Sequence, residues 1–138
     1  MRVILDTNVL ISGVFFGGLP RQILVAWRRG VLRLVFSPEI LDEYERVGDR
    51  LAQRFKGVDL DPFLQLLGLH GELVEAAALA EPVTDDPTDD KFFACALASG
   101  VRVIISGDED LHQASGWRGV EVVRPPDFCQ RFLMEDEV

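Results

Sequence analysis

The sequence predicts an α/β fold, a three-layer sandwich around a mainly parallel central sheet, formed as one domain over residues 1–138. Two observations predict it. Short β-branched apolar runs alternate along the chain with longer segments of helical periodicity. One run, "VRVIIS" (101–106), is apolar almost throughout, as a strand covered on both faces must be. A composition of 48% hydrophobic and 27% charged residues in 138 is that of a globular chain able to bury a sizeable core.

The elements follow in order. "RVILD" (2–6) reads as a first strand ending on a polar residue, and "SGVFFGG" (12–18) as a glycine-bearing loop. "PRQILVAWRRG" (20–30) begins with Pro and ends with Gly, as helices do. "VLRLVF" (31–36) is a second strand. The segment 37–55 is a helix opened by Ser37 as N-cap and Pro38 at its first position. A short helix is expected at 61–69, while "ELVEAA" (72–77) is ambiguous. "TDDKFFACALASG" (88–100) reads as a helix from a Thr or Asp cap to a Gly stop. A strand at 101–106, a short helical "DEDLHQ" (108–113), a strand at 120–123 and a closing helix at 125–133 complete the alternation.

The net charge of −9 is unevenly distributed. Residues 1–60 carry nine Lys and Arg against seven Asp and Glu, and residues 61–138 carry five against sixteen. Such a balance argues against nucleic-acid binding through the field of the whole surface, although cations can bridge carboxylates to phosphates. Cys95 and Cys129 form no C-x-x-C pair and read as small buried residues of a reducing compartment. His70 and His112 lack zinc-ligand spacing and are expected at surface or loop positions. Neither a secretory leader nor a membrane span is legible, so the expected location is cytoplasmic, with no membrane partner.

The stretch "PVTDDPTDDKFF" (82–93) places Asp85, Asp86, Asp89 and Asp90 within six positions. A helix start uses one or two carboxylates, and like charges at this density oppose folding. Asp85 and Asp86, beside prolines, suit turns. Glu43 falls about 60° from the apolar stripe of Ile40, Tyr44, Val47 and Leu51, where pairing with Arg46 or Arg50 would be its ordinary role. Asp108 and Asp110 suit a turn or a cap. Taken together, however, Asp6, Glu43, Asp90 and Asp108 come from two strand ends, a helix rim and a helix start. A parallel sheet can bring all of these to the carboxyl ends of its strands, where α/β folds bind ligands. Convergent carboxylates without His or Cys form a hard-oxygen site suited to Mg²⁺ or Mn²⁺.

"VILDTNVLIS", "SPEILDEYERV", "DPTDDKFFACALASG" and "VIISGDEDL" resemble, in order, the acidic motifs of PIN-domain ribonucleases, including the toxins of bacterial toxin–antitoxin pairs. The resemblance runs from the first strand to "PPDF", with Ser106 standing where the family's pattern has Thr. It implies a Mg²⁺- or Mn²⁺-dependent endoribonuclease that hydrolyses RNA phosphodiester bonds. Asp6, Glu43, Asp90 and Asp108 match the family's catalytic and metal-binding acids, and Asp110 its frequent fifth acid. Asn8 and Ser106 match supporting polar residues. Asp89 competes with Asp90, which is favoured because it stands four residues before Ala94 in a D-x-x-F-A arrangement. The resemblance also implies a homodimer, for which the apolar Phe63, Leu64, Leu66, Leu67 and Leu69 supply a surface. An antitoxin protein is the implied partner. Arg46, Arg50 and Arg54 share the flank of Glu43 and, with Arg28, Arg29 and Arg33, are expected to track RNA phosphates. Two other readings compete. A haloacid-dehalogenase-like phosphatase would need an Asp where Asn8 stands, and a non-catalytic acidic module would only bind a basic partner.

Overall fold

A computed structural model describes residues 1–133, so the last five residues of the expected 1–138 domain lie outside the described ones. Five strands form one all-parallel sheet in the order β3-β2-β1-β4-β5. They are β1 (Arg2–Leu5), β2 (Arg33–Phe36), β3 (Glu72–Leu73), β4 (Val103–Ile105) and β5 (Glu121–Val123). The helices are α1 (Thr7–Phe15), α2 (Gly18–Arg28), α3 (Pro38–Arg54), α4 (Asp61–His70), α5 (Asp90–Ser99), α6 (Glu109–Gln113) and α7 (Pro125–Phe128). A π-helical turn, Cys129–Leu133, continues α7. The predicted α/β architecture is therefore the one observed, with β1 central and flanked by β2 and β4.

The core follows from this order. Ile4, Leu5, Ile104 and Ile105 are almost wholly excluded from solvent, and Phe92, Phe93 and Phe128 pack over the sheet from the helices. Both cysteines are buried free thiols. Ser37 caps α3 as expected, its Oγ accepting a hydrogen bond from the Ile40 amide at 3.3 Å. Gly100 ends α5 in the left-handed region at φ +79°, where a side chain would be strained. Among the described residues no single helix is long and apolar enough to cross a membrane.

Three elements differ from expectation. The segment 12–18 is not simply a loop, because α1 runs through it to Phe15. Gly13 is there for close approach: a Cβ would stand 2.7 Å from a Leu24 methyl and 2.9 Å from the Pro20 carbonyl, so the glycine lets α1 and α2 meet at 91°. The ambiguous segment 72–77 contributes only a two-residue edge strand. The helix expected from residue 88 begins as a 3₁₀ turn, Pro87–Asp89, and becomes α-helical at Asp90. Helix α4 divides its apolar residues: Leu67 is buried, Phe63 packs on Trp27 with centroids 5.3 Å apart, and Leu66 and Leu69 remain exposed at 41% and 76%.

Candidate active site at the carboxyl ends of the strands

Asp6 directly follows β1, and its amide continues the sheet ladder by donating to the Ile105 carbonyl at 3.0 Å. Position along the strand thus fixes the backbone, and the side chain lies buried at 5% exposure. Ser106, which follows β4 and is wholly buried, joins two acids. Its Oγ donates to Asp6 Oδ2 at 2.7 Å and accepts from the Asp108 amide at 2.9 Å. His112 Nε2 stands 2.7 Å from the Ser106 carbonyl oxygen, a distance at which an Nε2–H donates to it and fixes this turn further. Asp108 caps α6, its Oδ1 accepting from the Asp110 amide at 2.8 Å.

The four clustered aspartates separate into different roles. Asp85 is exposed. Asp86 caps the 3₁₀ turn by accepting from the Thr88 amide at 3.0 Å and the Thr88 hydroxyl at 2.8 Å. Asp90 turns away from the strand ends: its carboxylate accepts from the Thr84 hydroxyl at 2.7 Å and from the Thr84 and Val83 amides at 2.9 and 3.3 Å. It therefore secures the 83–84 loop. Asp89 has no capping bond, and a carboxylate oxygen of it lies within 4.8 Å of one each from Asp108 and Asp110. The structure thus brings Asp89 to the acid cluster where sequence reasoning favoured Asp90. The physical reason is that Val83 and Thr84 engage the Asp90 carboxylate, while Asp89, at the end of the 3₁₀ turn, has no capping bond to make.

Electrostatics mark the same place. Burial, and then the charges of Asp108, Asp86, Asp6 and Glu43, raise the Asp89 pKa to about 7. Burial raises that of Asp6 too, with Asp108 and Glu43 adding to it against the Ser106 hydrogen bond. Glu43 reaches this end from the second turn of α3. One of its oxygens accepts from the Thr7 hydroxyl and the other pairs with Lys91 Nζ at 2.6 Å. Its partner is Lys91 and not the Arg46 or Arg50 of its own helix; Arg46 pairs with Asp42 at 2.9 Å. Tyr44, one residue on, donates to the Leu5 carbonyl at 2.6 Å and anchors α3 beneath β1.

Sequence reasoning passed over Lys91 and Thr7, and it expected His112 at a surface or loop position, whereas His112 lies half-buried in α6 against the Ser106 carbonyl. The signal for Lys91 was present: a dense acid cluster needs a counter-cation, and only Lys56 and Lys91 are lysines in this chain. Of the other candidates, Asn8 is exposed at the start of α1, beside Asp6. Arg46, Arg50 and Arg54 are exposed along α3. Arg28, Arg29 and Arg33 are not near the carboxylates. They end α2 and begin β2, at the amino ends of the strands.

The donor set consists of carboxylate oxygens without imidazole or thiolate, which fits a hard divalent cation such as Mg²⁺ or Mn²⁺. Asp89, Asp108 and Asp110 are the residues close enough to hold one together. Residues 2–110, well over half of the chain, match the family model described as the PIN domain. No curated protein matches the chain. The parallel sheet, the acids gathered at its carboxyl end and this match agree: the chain belongs to the PIN-domain family, whose members are nucleases that use divalent metals.

Proposed function

We propose that this chain is a Mg²⁺- or Mn²⁺-dependent endoribonuclease and acts as the toxin of a toxin–antitoxin pair. The observation that carries the nuclease reading is the approach of Asp89, Asp108 and Asp110 to within 4.8 Å. Three carboxylates this close repel one another, and a bound divalent cation would offset that repulsion. A divalent ion, when bound, supplies Lewis acidity towards water and the scissile phosphate.

The chain's own residues do the rest. Asp89 and Asp108, with Asp110, would hold the ion. Asp6 extends that shell through Ser106, whose hydroxyl keeps the Asp6 and Asp108 groups in fixed relation. Glu43 is the acceptor that orients the attacking water, held in place by Thr7 and Lys91. Asn8, exposed at the rim, is placed to meet a phosphate oxygen of the RNA. Asp90 organises the loop and does not touch substrate.

RNA as the substrate rests on the family motifs and on the exposed arginines of α3. An arginine-bearing antitoxin segment is the partner whose charge suits the acid cluster. The exposed Leu66 and Leu69 of α4 are the surface offered for a homodimer in the cytoplasm. A phosphatase reading is disfavoured by Asn8, which stands where that chemistry needs an acid.

The test is direct. A labelled single-stranded RNA should be cut internally by the purified chain in Mn²⁺ or Mg²⁺, left intact in EDTA, and left intact by Asp108→Asn. RNA that stays whole with either ion would overturn the nuclease reading. Induced expression should arrest growth through the same residue; normal growth would remove the toxin role alone.

A further inference from the structure

We propose that the opposite end of the sheet carries a second site, a pocket for a nucleoside phosphate. This site uses none of the acid cluster and does not depend on the nuclease reading. A cavity of about 640 Å³ opens there, lined by Arg2, Arg28, Arg33 and His70 over a floor of Trp27, Leu32 and Leu66. Its volume falls within the range of small-molecule sites.

Three features point to a phosphorylated ligand with an apolar body. First, the lining includes three arginines and a histidine but no Asp or Glu, in a chain where 23 acids outnumber 14 bases. Those side chains come from four separate elements: Arg2 from β1, Arg28 from α2, Arg33 from β2 and His70 from α4. Their meeting is a property of the fold and not of one helix face. Second, the cations are not equally occupied. Arg2 is held by Glu72 and by the Ser99 carbonyl at 2.9 Å, so it is a fixed wall. Arg33 touches Glu72 only at 3.8 Å with its side chain 67% exposed, and Arg28 is exposed in the last turn of α2. Arg28 makes no ion pair among the described residues and Arg33 makes only this long, exposed one, so both can turn to an anion, whose oxygens a guanidinium fork matches. Third, the floor is apolar. Trp27 and Leu32, only 7% and 4% exposed, close it from beneath, and Leu66, 41% exposed, gives a base or sugar edge something to cover.

A nucleoside phosphate combines these needs, and two sources can supply it: a free mononucleotide or the phosphorylated end of an RNA strand. The experiment separates them. AMP is titrated in EDTA, which keeps metal out of the acid cluster so that its carboxylates repel the ligand. Trp27 and Trp117 are the two tryptophans, and Trp117→Phe leaves Trp27 as the fluorescent reporter. Saturable change in Trp27 emission is expected with AMP and not with adenosine. The double variant Arg28→Gln, Arg33→Gln should weaken the response about tenfold or more. A 5′-phosphorylated dinucleotide that binds tighter than AMP identifies the strand end; equal or weaker binding identifies the free nucleotide. Equilibrium dialysis of labelled AMP against the unsubstituted chain repeats the measurement without relying on the Trp117 variant. No binding at millimolar AMP, or binding that the arginine pair does not affect, would overturn the proposal.

Discussion

The two ends of the sheet handle charge in opposite ways. At the amino ends, Glu72 on β3 is met by Arg2 from β1, with Arg33 from β2 nearby, so an acid is neutralised and three strands are tied together. At the carboxyl ends, Asp6, Asp89, Asp108 and Asp110 gather with Lys91 as the cation at their margin, and Lys91 is engaged by Glu43. The first arrangement holds the fold and leaves arginines over; the second raises the energy of the metal-free fold and leaves carboxylates over. Similar residues thus stabilise at one end and store binding capacity at the other. What differs is whether each charge meets its opposite.

The largest effect should come from removing one stored charge. Asp108→Asn is expected to lower RNA cleavage by about 100-fold or more. In thermal melts it should also lose most of the stabilisation that Mn²⁺ gives the wild type, about 2–3 kcal/mol at 100 times the dissociation constant. Asp6→Asn should do the same while leaving the metal-free protein equally stable or more so, because burial and its neighbours already disfavour the Asp6 charge. A lower metal-free melting temperature with an intact Mn²⁺ response would show that Asp6 belongs to the fold-holding kind.

Asp89 and Asp90 sharpen the contrast within two residues. Asp89→Asn should abolish the Mn²⁺ response and leave the metal-free fold no weaker. Asp90→Asn should keep the response but cost about 1–3 kcal/mol, since its three donors from Val83 and Thr84 lose their charged acceptor. Identical behaviour of the two variants would refute the division. The pH dependence follows with a definite sign. Asp89 is raised from 3.8 to about 7 in the fold, so its contribution is fully present below 3.8 and is lost as pH rises through 7. In EDTA the wild type should melt at lower temperature at pH 8 than at pH 5, and Asp89→Asn should flatten that slope.

A smaller effect tests the margin of the cluster. Lys91→Met removes the counter-ion of Glu43 from a pair whose side chains are only 15% and 19% exposed. The metal-free protein should lose about 1–3 kcal/mol. Its Mn²⁺ stabilisation should grow, because the added ion then offsets one more uncompensated charge. A Mn²⁺ response that shrinks would place Lys91 among the groups that support the metal site.

These contrasts also indicate what could be seen in the sequence. Strands, the Ser37 cap and the Gly100 stop were legible because each is decided by neighbours within a few residues. Asp6 was legible as the residue that directly follows a strand, and Asp108 as the cap of a short helix close after one. Helix α1 was not, since Gly13 looks like a loop residue until Leu24 and Pro20 are packed against it. Asp89 was not, because the bonds that draw Asp90 to Thr84 and Val83 exist only once the 83–84 loop has folded back on the helix start. The Lys91–Glu43 pair spans 48 residues and exists only once α3 and α5 are side by side.

The smallest expected effect asks whether the two ends communicate through RNA. Helix α3 starts at the carboxyl end, after β2, and runs back towards the amino end, carrying Arg46, Arg50 and Arg54 past Glu43. Arg46 is paired with Asp42, whereas Arg50 and Arg54 are exposed and about 6 Å apart along the axis. A strand lying over that face would meet both with successive phosphates. Each phosphate neutralised contributes about 0.7 to the slope of log affinity against log salt for single strands. Arg50→Gln with Arg54→Gln should therefore flatten the slope by about 1.4 units and weaken binding severalfold at low salt. Mn²⁺ affinity should not change, because neither residue touches the carboxylates. An unaltered slope would mean that RNA approaches the acids without following α3, and the two ends of the sheet would then act as separate sites.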